Sequence, residues 1–301
     1  MTLRPPADDE FDAMLELMNA HQLAAFGEAD YTADDLRTWL TTPYVVVERD
    51  LRVLERDGRL IGYADADPTR DDPPIWWCDV KVHPEVDAGP VLAELVAWLD
   101  ERAQAGQLRV WTSDTDRRIV DAYTGLGFEP VRHSYRMEID LAGVGREPVW
   151  PDGISLRTAI ADDHRPVHAA AVEVWQDTND PLDETFEEWA HWHVERDSYD
   201  PSLWFLAFDS DELAAFSICR QDSSDPNAGY VAMLGVRRPW RRRGLGEALL
   251  LHSFAEFRRH GYPRGTLGVD ASSVTGATRL YERAGMSVYR DTVFLERPVR
   301  G

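Results

Sequence analysis

VAMLGVRRPWRRRGLGEALL, residues 231–250, decides how the rest of the chain is read. An apolar run ends at Val236. Arg237, Arg238, Pro239, Trp240, Arg241, Arg242 and Arg243 follow, then Gly244-Leu245-Gly246, then an amphipathic stretch from Glu247. That order predicts a strand, a tight basic loop and the start of a helix. A helix N-terminus offers unpaired backbone N–H groups and the positive end of the helix dipole. Gly244 and Gly246 let a bulky anion approach the backbone closely. The upstream arginines add forked, permanently charged donors that suit phosphate oxygens. Together these features describe a diphosphate cradle. A nucleoside-triphosphate loop would need Lys-Ser/Thr after the glycines, and a dinucleotide fold a third glycine; the stretch has neither.

The 301 residues suggest two domains of average size. A net charge of −22 argues against general nucleic-acid or anionic-membrane binding. Against that background the five arginines within 237–243 mark a local site for a small anion. Lys81 is the only lysine. Cys78 and Cys219 sit in apolar runs and are expected to be reduced core thiols, as in the cytoplasm. The opening MTLRPPADDEF has no charged-then-apolar leader, and no apolar run approaches membrane-spanning length, so a cytoplasmic location without a membrane partner is expected. His164 and His168 could share a helix face, and His191 and His193 flank Trp192. Without an H-E-x-x-H pattern or a cysteine pair, no metal site is expected.

Periodicity predicts, in order, a strand at 2–5, helices at 8–20 and 32–40, and strands at 52–56 and 60–67 joined by Asp57-Gly58, a hairpin signal. A strand at 74–83, a helix at 90–105, a strand at 108–113, a helix at 117–126 and a strand at 128–141 follow. Residues 142–151, with two glycines, two prolines and no periodicity, read as a linker. The second half repeats the order: a strand at 154–159, helices at 162–175 and 183–195, and strands at 202–208, 213–221 and 229–236. A helix at 246–260, a strand at 265–270, a helix at 276–284 and a strand at 286–298 that closes the sheet complete it. Leu3-Arg4 matches Leu156-Arg157 (156 − 3 = 153), Val82 matches Val236 (236 − 82 = 154), and Tyr123 and Gly127 match Tyr281 and Gly285 (281 − 123 = 158). A nearly constant offset across separated elements indicates an internal duplication.

The loop Arg241-Arg242-Arg243-Gly244-Leu245-Gly246 resembles the R-x-x-G-x-G acetyl-CoA loop of the GNAT N-acetyltransferase superfamily. A second motif, Gly276 to Met286, is similar to that family's A-x-x-L-Y-x-x-x-G-F pattern through Ala277, Leu280, Tyr281 and Gly285, with Met286 in place of Phe and Ser273 where the family often has Asn. The resemblance implies an α/β (α+β) protein of two tandem GNAT-type domains, each a mixed, mostly antiparallel central sheet flanked by helices. The expected division is a degenerate N-terminal domain at 1–141, the linker at 142–151, and a C-terminal domain at 152–301 holding the acetyl-CoA site. The same tandem plan occurs in mycothiol synthase, a member of that superfamily.

By that resemblance the co-substrate is acetyl-CoA. Its pantetheine arm bonds the backbone of Leu234 and Val236 in a gap between diverging strands, as an added strand does. Arg241, Arg242, Arg243, Gly244, Leu245, Gly246 and Glu247 hold the diphosphate, and Tyr281 protonates the departing thiolate. A phenol, with pKa about 10, suits that task in a dry site. The acceptor is expected to be a small amine that attacks the thioester directly. Residues 229–236 contain no acid, so the candidate bases are Asp270, Glu173 and Asp177. Asp177, Asp180, Asp183, Glu184 and Glu187, near Trp175, Trp189 and Trp192, could suit a cationic, partly apolar amine. In the first half, His83-Pro84-Glu85-Val86-Asp87-Ala88-Gly89-Pro90 has no arginine and puts two acids where a diphosphate would sit, so no productive CoA binding is expected there. A CoA-responsive module without turnover and a protein N-acetyltransferase are the rival readings. Monomer and homodimer both remain open.

Overall fold

The Asp57-Gly58 dipeptide makes the hairpin its sequence predicts. Asp57 (φ 53°) and Gly58 (φ 78°) both take left-handed backbone, the geometry that matches the twist of paired strands. The computed structural model describes every residue except Val144 and Gly301. Val144 belongs to the expected linker and lies outside the described residues. The described chain divides into two compact units, one made of 1–134 and 290–301, the other of 135–289.

The first unit begins with β1 (Thr2–Arg4), α1 (Phe11–Phe26), α2 (Ala33–Leu40) and α3 (Val47–Asp50). It continues with β2 (Leu51–Arg56), β3 (Arg59–Asp65), β4 (Asp67–Pro68), β5 (Ile75–Trp77) and β6 (Val80–Val82). It then carries α4 (Ala88–Ala103), β7 (Gln107–Ser113), α5 (Arg117–Gly125) and the start of β8 (Glu129–Asp140). Thr32 caps α2 in a capping box with Asp35. Val91, Leu92, Leu95 and Leu99 of α4 are buried against Leu54, Val82 and Val110. The single strand expected at 74–83 is broken at Cys78 and Asp79. β5 runs parallel to β7, whereas β6 pairs antiparallel with β3.

The second unit holds β9 (Ile154–Thr158), α6 (His164–Trp175), α7 (Phe186–His193), β10 (Trp204–Asp209), β11 (Glu212–Gln221) and β12 (Ala228–Val236). Then come α8 (Leu245–Arg259), β13 (Arg264–Asp270), α9 (Ala277–Arg283) and the start of β14 (Ser287–Pro298). Its sheet runs β9-β10-β11-β12-β13 and ends on β8. All pairs from β9 to β12 are antiparallel, and β12 with β13 is parallel. Leu249, Leu250, Phe254 and Phe257 of α8 fill one face; Trp189, Trp204, Phe216 and Ile218 form the core of the other. Two glycines of β12 permit that packing. A Cβ on Gly229 would fall 2.4 Å from the Phe257 ring, and one on Gly235 would fall 2.5 Å from Phe216.

The expectation that 286–298 closes the sheet of its own half is corrected. From Thr292 to Pro298, β14 pairs antiparallel with Ser113 to Gln107 of β7, within the first unit. Residues 135–140 of β8 belong to the second unit. The repeats have exchanged their last strands. Local periodicity cannot reveal this, because an antiparallel strand buries the same side chains whichever copy of the sheet it joins.

Candidate active site

The site grows from β12. Its parallel pairing with β13 runs from Ala228↔Arg264 to Val231↔Leu267 and stops there. The antiparallel pairing with β11 continues to Val236, with a register shift at Ile218/Cys219 opposite Ala232. A bulge bends its strand and increases the local twist, so β12 leaves β13 while staying on β11. The gap opens into a cavity of about 980 Å³ bordered by Leu234, Val236, Gly268 and Val269.

The basic loop closes one end. Arg242 (φ 63°) and Gly244 (φ 88°) take left-handed backbone, and α8 starts at Leu245 without a side-chain cap. The first-turn amides of α8 therefore remain available beside the cavity. A Cβ at Gly246 would make only ordinary contacts, 3.5 Å to Leu280 and 3.6 Å to Val236. Its glycine keeps space open toward the cavity and relieves no internal clash.

Of the residues expected to hold the cofactor, Leu234, Val236, Arg241, Arg242, Gly244, Leu245, Gly246 and Glu247 all border this cavity, as does Tyr281. Arg243 does not; its guanidinium turns to Asp209, 3.5 Å away, and the expectation for its side chain is corrected. Arg241 is held at both ends, its Nε donating to the Val236 carbonyl (3.0 Å) and its Nη1 to Asp177 (2.7 Å). The Glu247 carboxylate is paired with Arg146, which also donates to the Arg283 carbonyl (2.9 Å).

Two of the three acids considered as bases are committed elsewhere. Asp177 accepts from Arg238 (2.8 and 2.9 Å) and Arg241, and these bonds hold its carboxyl far below the usual range. Burial alone would raise Glu173, but bonds from the Arg237 side chain (2.7 Å) and the Arg238 amide (3.2 Å) outweigh it and lower its pKa. A carboxylate so stabilised in its charged form is a poor proton acceptor. Asp270 borders the cavity and accepts from the Ser272 amide and hydroxyl (2.7 Å each) and from Asn179 (3.0 Å). Of the acidic and tryptophan cluster, Asp177, Asp180 and Trp175 reach the cavity. Asp183, Glu184, Glu187, Trp189 and Trp192 do not; Trp189 is core and Glu187 pairs with Arg165. Sequence reading missed Asn179, Arg279, Arg283 and the Arg146 clasp. The arginine pair lay inside a quoted motif at i,i+4 spacing, a legible sign of one helix face.

Tyr281 is 8% exposed, and burial, with Tyr230 nearby, pushes its phenol up to about 12. It holds its proton throughout the neutral range. Both thiols are buried and raised, Cys219 to about 11. His164 and His168 spend their Nε2 atoms on Tyr199 (2.8 Å) and the Glu184 carbonyl (3.1 Å). Among the described residues no group of His, Cys, Asp and Glu could hold a metal, and no helix is long and apolar enough to cross a membrane.

The equivalent region of the first unit is occupied by the chain's own contacts. Asp87 caps α4 by accepting from the Gly89 amide (3.1 Å), where α8 carries no cap. Glu85 pairs with Arg59. Beside the β5–β6 break, His21 Nδ1 lies 3.1 Å from the Val82 amide, and Lys81, 1% exposed, pairs with Asp79 at 2.6 Å beneath the Tyr31 ring. Tyr123, the counterpart of Tyr281, is fully buried beside Phe128.

Residues 160–286 match the acetyltransferase (GNAT) family. That segment is similar to GNAT acetyltransferases. The "Mycothiol acetyltransferase" of Thermobispora bispora is 27% identical over 290 residues, covering 91% of this chain and 94% of its own. That of Geodermatophilus obscurus is 29% identical over 255 residues, 79% of each chain. A GCN5-related N-acetyltransferase from Sphaerobacter thermophilus superposes with a TM-score of 0.78 at 29% identity, over 100% of this chain and 96% of the other. A tandem GNAT protein of the clavulanic acid pathway gives 0.79 at 18% identity, over 100% and 99%, which speaks to the fold alone. The GNAT match spans the cavity and its loop.

Proposed function

We propose that the C-terminal repeat binds acetyl-CoA in the β12–β13 gap and transfers its acetyl group to a small amine by direct attack. The observation that carries this reading is the end of strand pairing at Val231↔Leu267 beside an uncapped helix N-terminus. The unpaired side of β12 suits an extended amide-bearing arm, and the first-turn amides of α8 suit a diphosphate. The cavity, about 980 Å³, reaches the upper end of the range for small-molecule sites.

Acetyl-CoA brings an activated thioester. The amine nitrogen forms a bond to the carbonyl carbon while the C–S bond breaks, and the sulfur leaves with the electron pair. Tyr281 holds a proton for that sulfur. A backbone N–H near Leu234 polarises the carbonyl, as an oxyanion donor does. With Glu173 and Asp177 tied to arginines, Asp270 is the acid that takes the ammonium proton, directly or through water. The relatives' name, mycothiol acetyltransferase, supports a small-molecule acceptor of that chemistry. The test is thiol release from acetyl-CoA across an amine panel, with Tyr281→Phe as the diagnostic variant. Absence of release with every amine sinks the reading.

A further inference from the structure

The arginines of the site divide into two groups. Arg237, Arg238, Arg241 and Arg243 are each paired with an acid of the chain. Arg242, Arg279 and Arg283 pair with no acid among the described residues, and all three border the cavity. Three guanidiniums without an acid partner around one cavity suit an anionic ligand. Arg242 sits in the loop with the α8 amides. Arg279 and Arg283 come from a different element. They are exposed, four residues apart on α9, and therefore neighbours on one face. Like charges at that spacing repel and destabilise the helix unless an anion lies between them. Arg146 adds a third guanidinium, bonded to the Arg283 carbonyl (2.9 Å) and neutralising Glu247.

We propose that Arg279 and Arg283 form a second anion subsite that takes a phosphate monoester, separate from the diphosphate cradle. Resting on the acetyl-CoA reading, this makes the site selective for the 3′-phosphorylated coenzyme over its dephosphorylated form. The argument is one of charge and placement. A diphosphate is satisfied by Arg242 and the α8 amides, which leaves two cations on a separate helix facing the same space. Exposed charge-assisted contacts are individually modest, so about a tenfold preference is expected from the pair.

Calorimetric titration of the full chain with CoA and with dephospho-CoA at low salt tests this. The wild type should bind CoA about tenfold tighter. The Arg279→Gln/Arg283→Gln double variant, whose altered side chains are exposed, should bind the two ligands alike, with dephospho-CoA affinity unchanged. Equal affinities in the wild type, or equal weakening of both ligands in the variant, overturn the proposal. If neither ligand binds the wild type, the acetyl-CoA reading itself falls and takes this subsite with it.

Discussion

Replacing Tyr281 with Phe removes one oxygen from a ring that is 8% exposed and otherwise packed, so the fold should survive. Its catalytic cost can be worked from the site. A phenol at about 12 is a weak acid beside a thiol, whose ordinary pKa is about 8.5. Burial raises a thiol as well, as it does Cys219, so exclusion of water from the gap narrows that mismatch. Proton transfer from Tyr281 is feasible, and its loss should cost toward the lower end of general-acid effects, about 10²-fold in kcat. KM for acetyl-CoA should stay within about twofold, because the hydroxyl acts on charge that develops only as the bond breaks. The assay is thiol release with saturating amine between about pH 7 and 10. Since the folded-state phenol lies above its ordinary value, its proton is retained through that window and Tyr281 imposes no alkaline fall in rate. A variant keeping more than a third of wild-type kcat refutes the assignment. So does an alkaline limb near pH 10 that vanishes in the variant.

Arg241→Glu or Gly246→Asp should abolish CoA binding without unfolding the chain, since a Cβ at 246 meets nothing closer than 3.5 Å; unchanged calorimetric affinity in either would exclude the loop as the cradle. Lys81→Met strands the buried Asp79 carboxylate and should cost about 3–5 kcal/mol in urea unfolding while leaving native CoA affinity alone; a cost below about 1 kcal/mol contradicts the packed N-terminal groove. His21 and His193 are both depressed to about 3, chiefly by burial, so their stability contribution is complete above pH 6.5 and lost as pH falls toward 3. Each should cost roughly 1.4 kcal/mol per pH unit in that window, or about 4 kcal/mol together between pH 7 and 5; equal urea midpoints at those pH values would disprove their neutral burial.

Much of this architecture was legible because it rests on local rules. Asp57-Gly58 marked a hairpin, and Gly244 and Gly246 marked a loop where an anion could reach the backbone. The Gly276–Met286 motif marked Tyr281, and the repeat offset paired it with Tyr123. What stayed hidden depended on partners distant in sequence. Arg243 looked equivalent to Arg241 until Asp209 drew it away. Glu173 and Asp177 looked like bases until the loop arginines claimed them. The break at Cys78 and the exchange of β8 and β14 are choices between sheet edges, on which the alternation of a single strand is silent.

The sealed position of Lys81 has a practical consequence. The chain owns a single lysine and keeps its amine out of reach of any acyl donor in solution. An amine-directed reagent should therefore leave position 81 unmodified in the native chain, and the appearance of label at Lys81 in a peptide map would time the opening of the N-terminal unit without any engineered probe.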